Sequence, residues 1–121
     1  MDLGLKDKAV IVTGGGSNIG RAIVLGFAHE GAKIMIGDID TEQAQAVAAE
    51  ALAAGAAAVE VSQCDVTDIT AVQAMFSRTT EAFGGLDVLV NNVGWDQLMF
   101  FTQTTPDLWE KIIRVNFIGM L

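Results

Sequence analysis

A glycine-rich segment near the N-terminus carries the residues best suited to chemistry. It reads VTGGGSNIGRA and directly follows a short run of apolar residues, most of them β-branched. Gly14 allows a tight turn, Gly16 lets the backbone approach a ligand closely, and Gly20 permits close packing of a helix on the strand. The first residues of that helix offer free N–H groups and a positive dipole end; they are Ser17, Asn18 and Ile19. The segment predicts a binding site for a diphosphate.

The spacing of the glycines separates this segment from two common phosphate loops. Ile19 stands where the G-x-G-x-x-G pattern needs its last glycine, and Gly20 comes one residue later. The Lys-Ser/Thr ending of a P-loop is also missing. The alternative is a glycine-rich turn without a ligand, but the order of strand, turn and helix favours the phosphate site.

A carboxylate follows the second predicted strand, some twenty residues after the loop. At that position Asp38 can accept hydrogen bonds from both hydroxyls of an adenosine ribose and would repel a 2′-phosphate. Ile39 is neutral, Asp40 adds negative charge, and the loop contains no Lys or Arg before Arg21. We therefore expect NAD rather than NADP. As alternatives, Asp38 is a turn or capping residue, or pairs with Asp40 around a cation; the strand-end position favours the ribose, so no metal site is predicted.

Composition limits the classes of function. The 121 residues, of which 51% are hydrophobic, suffice for one domain with a modest core, which we place at residues 1–121. A net charge of −8 repels phosphate backbones and anionic lipid, so we expect neither nucleic acid nor a membrane as a partner. The single cysteine, Cys64, cannot form an internal disulfide, and the first residues lack the features of a signal peptide. These features predict a cytoplasmic protein that acts on small molecules.

Short apolar runs alternate with helical patterns along the whole chain. We predict strands at 9–12, 33–37, 58–63 and 86–92, and helices at about 19–30, 42–54, 68–83 and from 106 to the end. The order predicts an α/β fold with a parallel sheet covered by helices on both faces. Gly31, Gly55 and Gly84 follow helical runs as left-handed C-caps, while Asp40 and Thr105 are placed to cap helix N-termini.

Four motifs, in order and at matching spacing, resemble the short-chain dehydrogenase/reductase family. They are TGGGSNIG at 13–20, CDVTD at 64–68, NNVG at 91–94 and VNFIG at 115–119. The family's glycine loop reads T-G-x-x-x-G-x-G, and Asn18 replaces its middle glycine. Because Asn tolerates positive φ better than other non-glycine residues, we expect the loop to keep its shape. The resemblance implies a Rossmann-type doubly wound sheet, here truncated to the strand order 3-2-1-4.

The same resemblance implies roles for individual residues. Asp65 and Val66 would border the adenine, with the Asp65 carboxylate accepting from its exocyclic amine. Asn91 to Gly94, including Val93 in place of the usual alanine, would line the floor under the cofactor, with Asn92 in direct contact. Asn116 would be the catalytic asparagine whose backbone carbonyl holds a water of the proton relay. Read from the residues alone, an Asn in an apolar helix indicates a kink or a buried hydrogen bond.

The family's activity is NAD(P)-dependent hydride transfer between the nicotinamide and an alcohol or ketone. It relies on a serine and a Tyr-x-x-x-Lys pair, yet this sequence contains no tyrosine. We therefore expect the domain to be incomplete at its C-terminus and inactive alone. The alternative is a non-catalytic NAD-binding or self-assembling module.

Partners beyond the cofactor follow from the same expectations. We expect a small alcohol or ketone substrate and a homo-oligomer formed through the exposed fourth strand, the 106–121 helix, or both. The run after NNVG, with Trp95, Phe100 and Phe101, is somewhat similar to dehydrogenases of alicyclic hydroxyacyl-CoA esters. Ordinary packing of these aromatic residues is the alternative.

Overall fold

The computed structural model describes residues 1–121, in which strands and helices alternate along the chain. Four strands and four α-helices follow one another in the order β1 (Ala9–Thr13), α1 (Asn18–His29), β2 (Lys33–Asp38), α2 (Thr41–Ala54), β3 (Ala58–Gln63), α3 (Ile69–Phe83), β4 (Val88–Val90) and α4 (Pro106–Asn116). Short 3₁₀ turns span Phe101–Gln103 and Ile118–Met120. All strand pairs are parallel and the order is β3-β2-β1-β4, which confirms the predicted topology.

The strand β1 is apolar on consecutive residues because helices cover both faces of the sheet. All five residues of β1 are buried, and Ile11 pairs with Met35 of β2 on one side and Leu89 of β4 on the other. On one face, the buried residues of α1 and α2 pack against Val10 and Val12. On the opposite face, Met75 of α3 packs with Ile11, Met35 and Cys64. Helices on both faces were predicted and are present.

Three predicted helix ends and two predicted helix starts are confirmed by the backbone. Gly31, Gly55 and Gly84 have φ of +74°, +117° and +83°, the left-handed region that a residue without Cβ adopts at little cost. The Asp40 carboxylate accepts from Gln43 N–H at 3.0 Å, and Thr105 Oγ1 accepts from Leu108 N–H at 3.3 Å. Both residues therefore cap their helices as predicted.

Two predicted boundaries were wrong. The fourth strand covers Val88–Val90 instead of 86–92, because its ladder with β1, its one neighbour, is limited to Val10–Val12. At its amino end Asp87 N–H donates to Ala9 O at 2.9 Å, and Ala9 N–H donates to the Asp87 carboxylate at 2.8 Å instead of to a backbone carbonyl. The helix from Pro106 ends at Asn116 and does not reach residue 121, since Phe117 leaves helical geometry with φ −120° and ψ −63°.

The last helix is attached differently from the other three. Residues of α4 lie against neither the strands nor α1, α2 and α3, and none of them is buried. Its apolar surface remains open to solvent; Trp109 and Ile113 are 43% and 52% exposed. None of the helices combines the length and the apolar character needed to span a membrane.

Candidate functional site

A cleft of about 980 Å³ opens where the strands end. It lies at the carboxyl edge of the sheet, beside the point where the strand order reverses between β1 and β4. Open α/β sheets bind their ligands at this switch point, and ligand pockets typically have volumes of about 300–1,000 Å³. The cleft therefore has the place and the size expected of a site for a large small molecule.

The glycine loop forms one wall of the cleft. Gly14 turns the chain with φ +65°, and Asn18 has φ +51°, which confirms that Asn takes the left-handed conformation in place of the glycine. A Cβ on Gly20 would overlap the Gly14 carbonyl oxygen and lie 2.7 Å from Asn92 Nδ2. The absence of side chains at Gly14 and Gly20 is what lets α1 begin directly against the loop.

The first turn of α1 keeps its N–H groups free of side-chain caps. Asp40, Asp68 and Thr105 each accept a backbone N–H at the start of α2, α3 and α4. Ser17, the N-cap of α1, makes no such hydrogen bond and lines the cleft. The uncapped donors at this one helix start are available to an anion in the cleft.

Asp38 is fixed at the edge of the cleft by the glycine loop. Gly16 N–H donates to its Oδ2 at 2.9 Å, and Asp40 N–H donates to its Oδ1 at 3.0 Å. A Cβ on Gly16 would lie 2.7 Å from that Oδ2, so glycine is needed there to admit the carboxylate. Gly16 itself does not line the cleft. Its contribution to a site is therefore to hold Asp38, which the sequence did not show.

Asp65, at the end of β3, presents an ionised carboxylate. Its Oδ1 accepts from Thr67 Oγ1 at 2.7 Å and from Thr67 N–H at 2.9 Å. These hydrogen bonds lower the pKa of Asp65, burial opposes them, and the positive charge of Arg114 adds to the lowering. Val66 and Thr67 line the cleft beside it. The arrangement provides a hydrogen-bond acceptor at neutral pH.

The Asn92 side chain joins the ends of β4 and β1. Its Nδ2 donates to the carbonyl oxygens of Thr13 and Gly14 at 3.1 and 3.2 Å, and its backbone N–H donates to Thr13 Oγ1 at 3.0 Å. The amide donors are therefore used within the protein, which leaves Oδ1 as the group that can contact a ligand. Val93 and Gly94 continue the lining of the cleft.

Asn116 lies outside the cleft and holds the segment that follows Gly94. Its Oδ1 accepts from Trp95 N–H at 2.8 Å, and its Nδ2 donates to Trp95 O at 2.6 Å and to Ile112 O at 3.0 Å. The side chain thus clamps one residue of the cleft wall by both of its backbone polar groups. The residue alone indicated a kink or a buried hydrogen bond; the side chain does form hydrogen bonds, but they are only part-buried.

One wall of the cleft was not anticipated from the sequence. It is the face of α4 formed by Asp107, Glu110, Lys111, Arg114 and Val115. Lys111 Nζ lies 3.7 Å from the centroid of the Trp95 ring, a cation–π contact across the mouth of the cleft. The spacing i, i+3, i+4, i+7, i+8 places these residues on one helical face, a signal that was present in the sequence.

The residues around the cleft fit a dinucleotide. The free N–H groups of α1 suit a diphosphate, the anchored Asp38 suits a ribose, and Asp65 suits a hydrogen-bond donor on a base. The predicted cofactor residues line one cavity, with the exception of Gly16; they are Gly14, Ser17, Asn18, Ile19, Gly20, Asp38, Ile39, Asp65, Val66, Asn92, Val93 and Gly94.

Comparison with known proteins agrees with this arrangement. The family model described as "short chain dehydrogenase" matches residues 8–121. The chain is 38% identical over 117 residues to D-xylose 1-dehydrogenase of Caulobacter vibrioides, covering 97% of this chain and 45% of that protein. It is 39% identical over 120 residues to 2,5-dichloro-2,5-cyclohexadiene-1,4-diol dehydrogenase LinX of Sphingobium indicum, covering 96% of this chain and 48% of that protein.

A solved structure shows the same fold. A short-chain type dehydrogenase/reductase from Mycobacterium marinum superposes with a TM-score of 0.90 at 27% identity, over 95% of this chain and 45% of that one. The chain thus spans about half the length of the curated relatives it matches. With the motifs, the strand order and the cleft in agreement, the chain belongs to the short-chain dehydrogenase family.

Proposed function

We propose that this chain is the NAD-binding part of an oxidoreductase that transfers hydride between the nicotinamide and an alcohol or ketone. One observation carries the choice of NAD over NADP. The Asp38 carboxylate lines the cleft and is held on both oxygens by backbone N–H groups at 2.9 and 3.0 Å. A fixed carboxylate accepts the two ribose hydroxyls and repels a phosphate at the 2′ position.

In this proposal each wall of the cleft holds one portion of the cofactor. The first turn of α1 binds the diphosphate, Asp38 binds the adenosine ribose, and Asp65 accepts from the adenine amine. Asn92 to Gly94 form the floor under the nicotinamide and its ribose. Bound NAD supplies the carbon that accepts or donates hydride. Asn116 positions Trp95 through its side chain, while its backbone carbonyl is the group proposed to hold a relay water.

The nucleotide preference provides the test. We expect NADH, followed by its fluorescence, to bind the chain at least about tenfold more tightly than NADPH, a difference of about 1.4 kcal/mol. Asp38→Ser should remove most of that preference. Asp40→Ser is the matched control, because it deletes a neighbouring charge outside the cleft and leaves a residue that caps α2 well. Equal affinity of the unaltered chain for both nucleotides would rule out the proposed NAD preference.

We also propose that the chain alone does not turn over. The family's general acid/base is a tyrosine, and this sequence has none. Purified chain should produce no NADH above a protein-free blank when alcohols are supplied with NAD. Sustained NADH production that scales with protein concentration would contradict this.

A second candidate function is a non-catalytic NAD-binding module that self-assembles. The open side of β4 and the exposed apolar surface of α4 favour it. We propose self-association through these two surfaces for either function.

We further propose a cytoplasmic location, supported by the single, buried, reduced Cys64.

A further inference from the structure

The cationic side chains of the cleft come from one helix and form no direct ion pair. Lys111 and Arg114 are the cations among the residues that line the cleft, and both belong to α4. The ion pairs of the molecule join Arg21 to Glu50 and Arg78 to Glu60, so neither Lys111 nor Arg114 is neutralised by direct contact. Neither charge is cancelled at contact distance, although Arg114 is close enough to Asp65 to lower the pKa of that carboxyl.

The charge balance of the cleft makes these two residues important. Four carboxylates line it, those of Asp38, Asp65, Asp107 and Glu110, which with the two cations leaves a net charge of −2. Arg21 in α1 is bound to Glu50 and does not line the cleft. A dinucleotide adds the two negative charges of its diphosphate, so repulsion would oppose its entry unless nearby cations offset it.

The two cations are held at different parts of the cleft wall. Lys111 Nζ stays over the Trp95 ring at 3.7 Å, and Asn116 fixes the backbone of that tryptophan. Lys111 therefore lies beside the end of the Asn92 to Gly94 segment. Arg114 lies one turn further along α4, toward the end of β3, since a Cβ on Gly119 would lie 3.2 Å from Arg114 O and 3.3 Å from Val66 O. Both line the same cleft as the glycine loop.

We propose that Lys111 and Arg114 are cofactor-binding residues that supply positive charge to the bound dinucleotide, so that α4 forms the second wall of the nucleotide site. This inference rests on the proposed function, since it assumes that the cleft takes NAD(H). The inference assigns α4 a role in cofactor binding. The helix is otherwise attached to the rest of the molecule by a few side-chain contacts.

Salt dependence of NADH binding tests the inference. Because both side chains are exposed, we expect Lys111→Met and Arg114→Met each to raise the Kd for NADH about fivefold at low ionic strength. The effect should shrink at about 0.5 M salt, where charges are screened over a few Å. Lys111→Arg should restore most of the affinity. Lys8→Met, at the amino end of β1 and outside the cleft, is the control and should stay within about twofold of the unaltered chain.

The outcomes distinguish failure of the proposed contribution of α4 from failure of the proposed NAD-binding function. If the unaltered chain binds NADH and both Met variants keep its Kd and salt dependence, the contribution of α4 is refuted while the proposed function stands. A Kd for the unaltered chain that does not change with salt also overturns it, without the need for any variant. If the unaltered chain fails to bind NADH at low salt, the proposed function and this inference fall together.

Discussion

At the scale of single residues, the shape of the cleft depends on the absence of a Cβ atom at Gly20. Gly20 is buried at the start of α1, where a Cβ would overlap the Gly14 carbonyl oxygen. Gly26 lies two turns later in the same helix, is exposed, and has open space around the position of a Cβ. The two glycines therefore form a matched pair within one helix.

We predict opposite effects of alanine at these two positions. Gly20→Ala should lower the free energy of unfolding by about 2 kcal/mol or more, since steric overlap exceeds the gain in helix propensity. Gly26→Ala should raise it by about 0.5–1 kcal/mol, because alanine reduces the entropy of the unfolded chain without a clash. Urea unfolding followed by circular dichroism measures both. Equal stability of the two variants would contradict the close approach of α1 to the glycine turn.

The Asp65 carboxylate gives a prediction about pH. Thr67→Val removes the hydroxyl that donates at 2.7 Å, the largest cause of the lowered pKa of Asp65. The pKa of Asp65 should rise toward its ordinary value in the variant, as measured by NMR titration of the side-chain carboxyl. Thr70→Val is the control, because that side chain makes no hydrogen bond to Asp65.

The sign of the accompanying stability change follows from linkage. A carboxyl whose pKa is lower in the folded state stabilises the fold above its unfolded pKa and loses this contribution as the pH falls. The stability difference between the native chain and Thr67→Val should therefore be greatest near neutral pH and shrink under acid. A difference that grows as the pH falls would contradict the direction of the shift.

The sequence identified some of these residues from general physical reasons and missed others. Gly14 and Asn18 were predictable because few residues adopt positive φ, and Asp38 was predictable from its place after a strand. The contribution of Gly16 was not, because its glycine requirement comes from the Asp38 carboxylate 22 positions away. Tertiary contacts of this kind have no local signature.

At the scale of secondary structure, the attachment of α4 is the feature that periodicity did not predict. The pattern of apolar residues indicated a helix to the end of the chain, yet the helix stops at Asn116. The side chain of that residue donates to Ile112 O, four residues earlier, at 3.0 Å, and a local hydrogen bond of this kind competes with the helix's own. Helix starts were predicted better, since Asp40 and Thr105 act through local hydrogen bonds.

We predict that Asn116→Ala loosens the contact between α4 and the segment at Trp95. The variant leaves the partly buried N–H and C=O of Trp95 without their partners, which should cost about 2 kcal/mol. Hydrogen exchange of the Trp95 amide should become faster. Asn91→Ala is the control, because it removes one exposed hydrogen bond of 3.3 Å to Met120 O. Unchanged exchange at Trp95 in the Asn116 variant would show that the clamp does not hold this segment.

At the scale of the whole molecule, one side of the sheet is uncovered. β4 pairs with β1 alone, and Leu89 at its centre is 41% exposed. Open apolar edge strands pair readily with other chains, and a charge in the strand prevents such pairing. The apolar surface of α4 is also exposed, and it packs against none of the strands or other α-helices.

We predict concentration-dependent self-association that a charge on β4 reduces. Analytical ultracentrifugation should show dimers or larger species of the native chain, and Leu89→Lys should shift the population toward the monomer. Leu52→Lys adds the same charge at an exposed apolar position of α2, away from β4, and should leave the association unchanged. A native chain that stays monomeric at every concentration would refute the proposed use of this edge.

The central claim is that the cleft at the carboxyl edge of the sheet holds NAD(H). The most direct measurement is a titration of the ¹⁵N-labelled chain with NADH, followed by backbone amide NMR. We predict that amide signals of the glycine loop from Gly14 to Gly20 shift saturably, together with those of Asp38, Asp65 and Gly94, while α2 signals stay unchanged. Saturable shifts confined to other surfaces, or none at millimolar NADH, would contradict the claim.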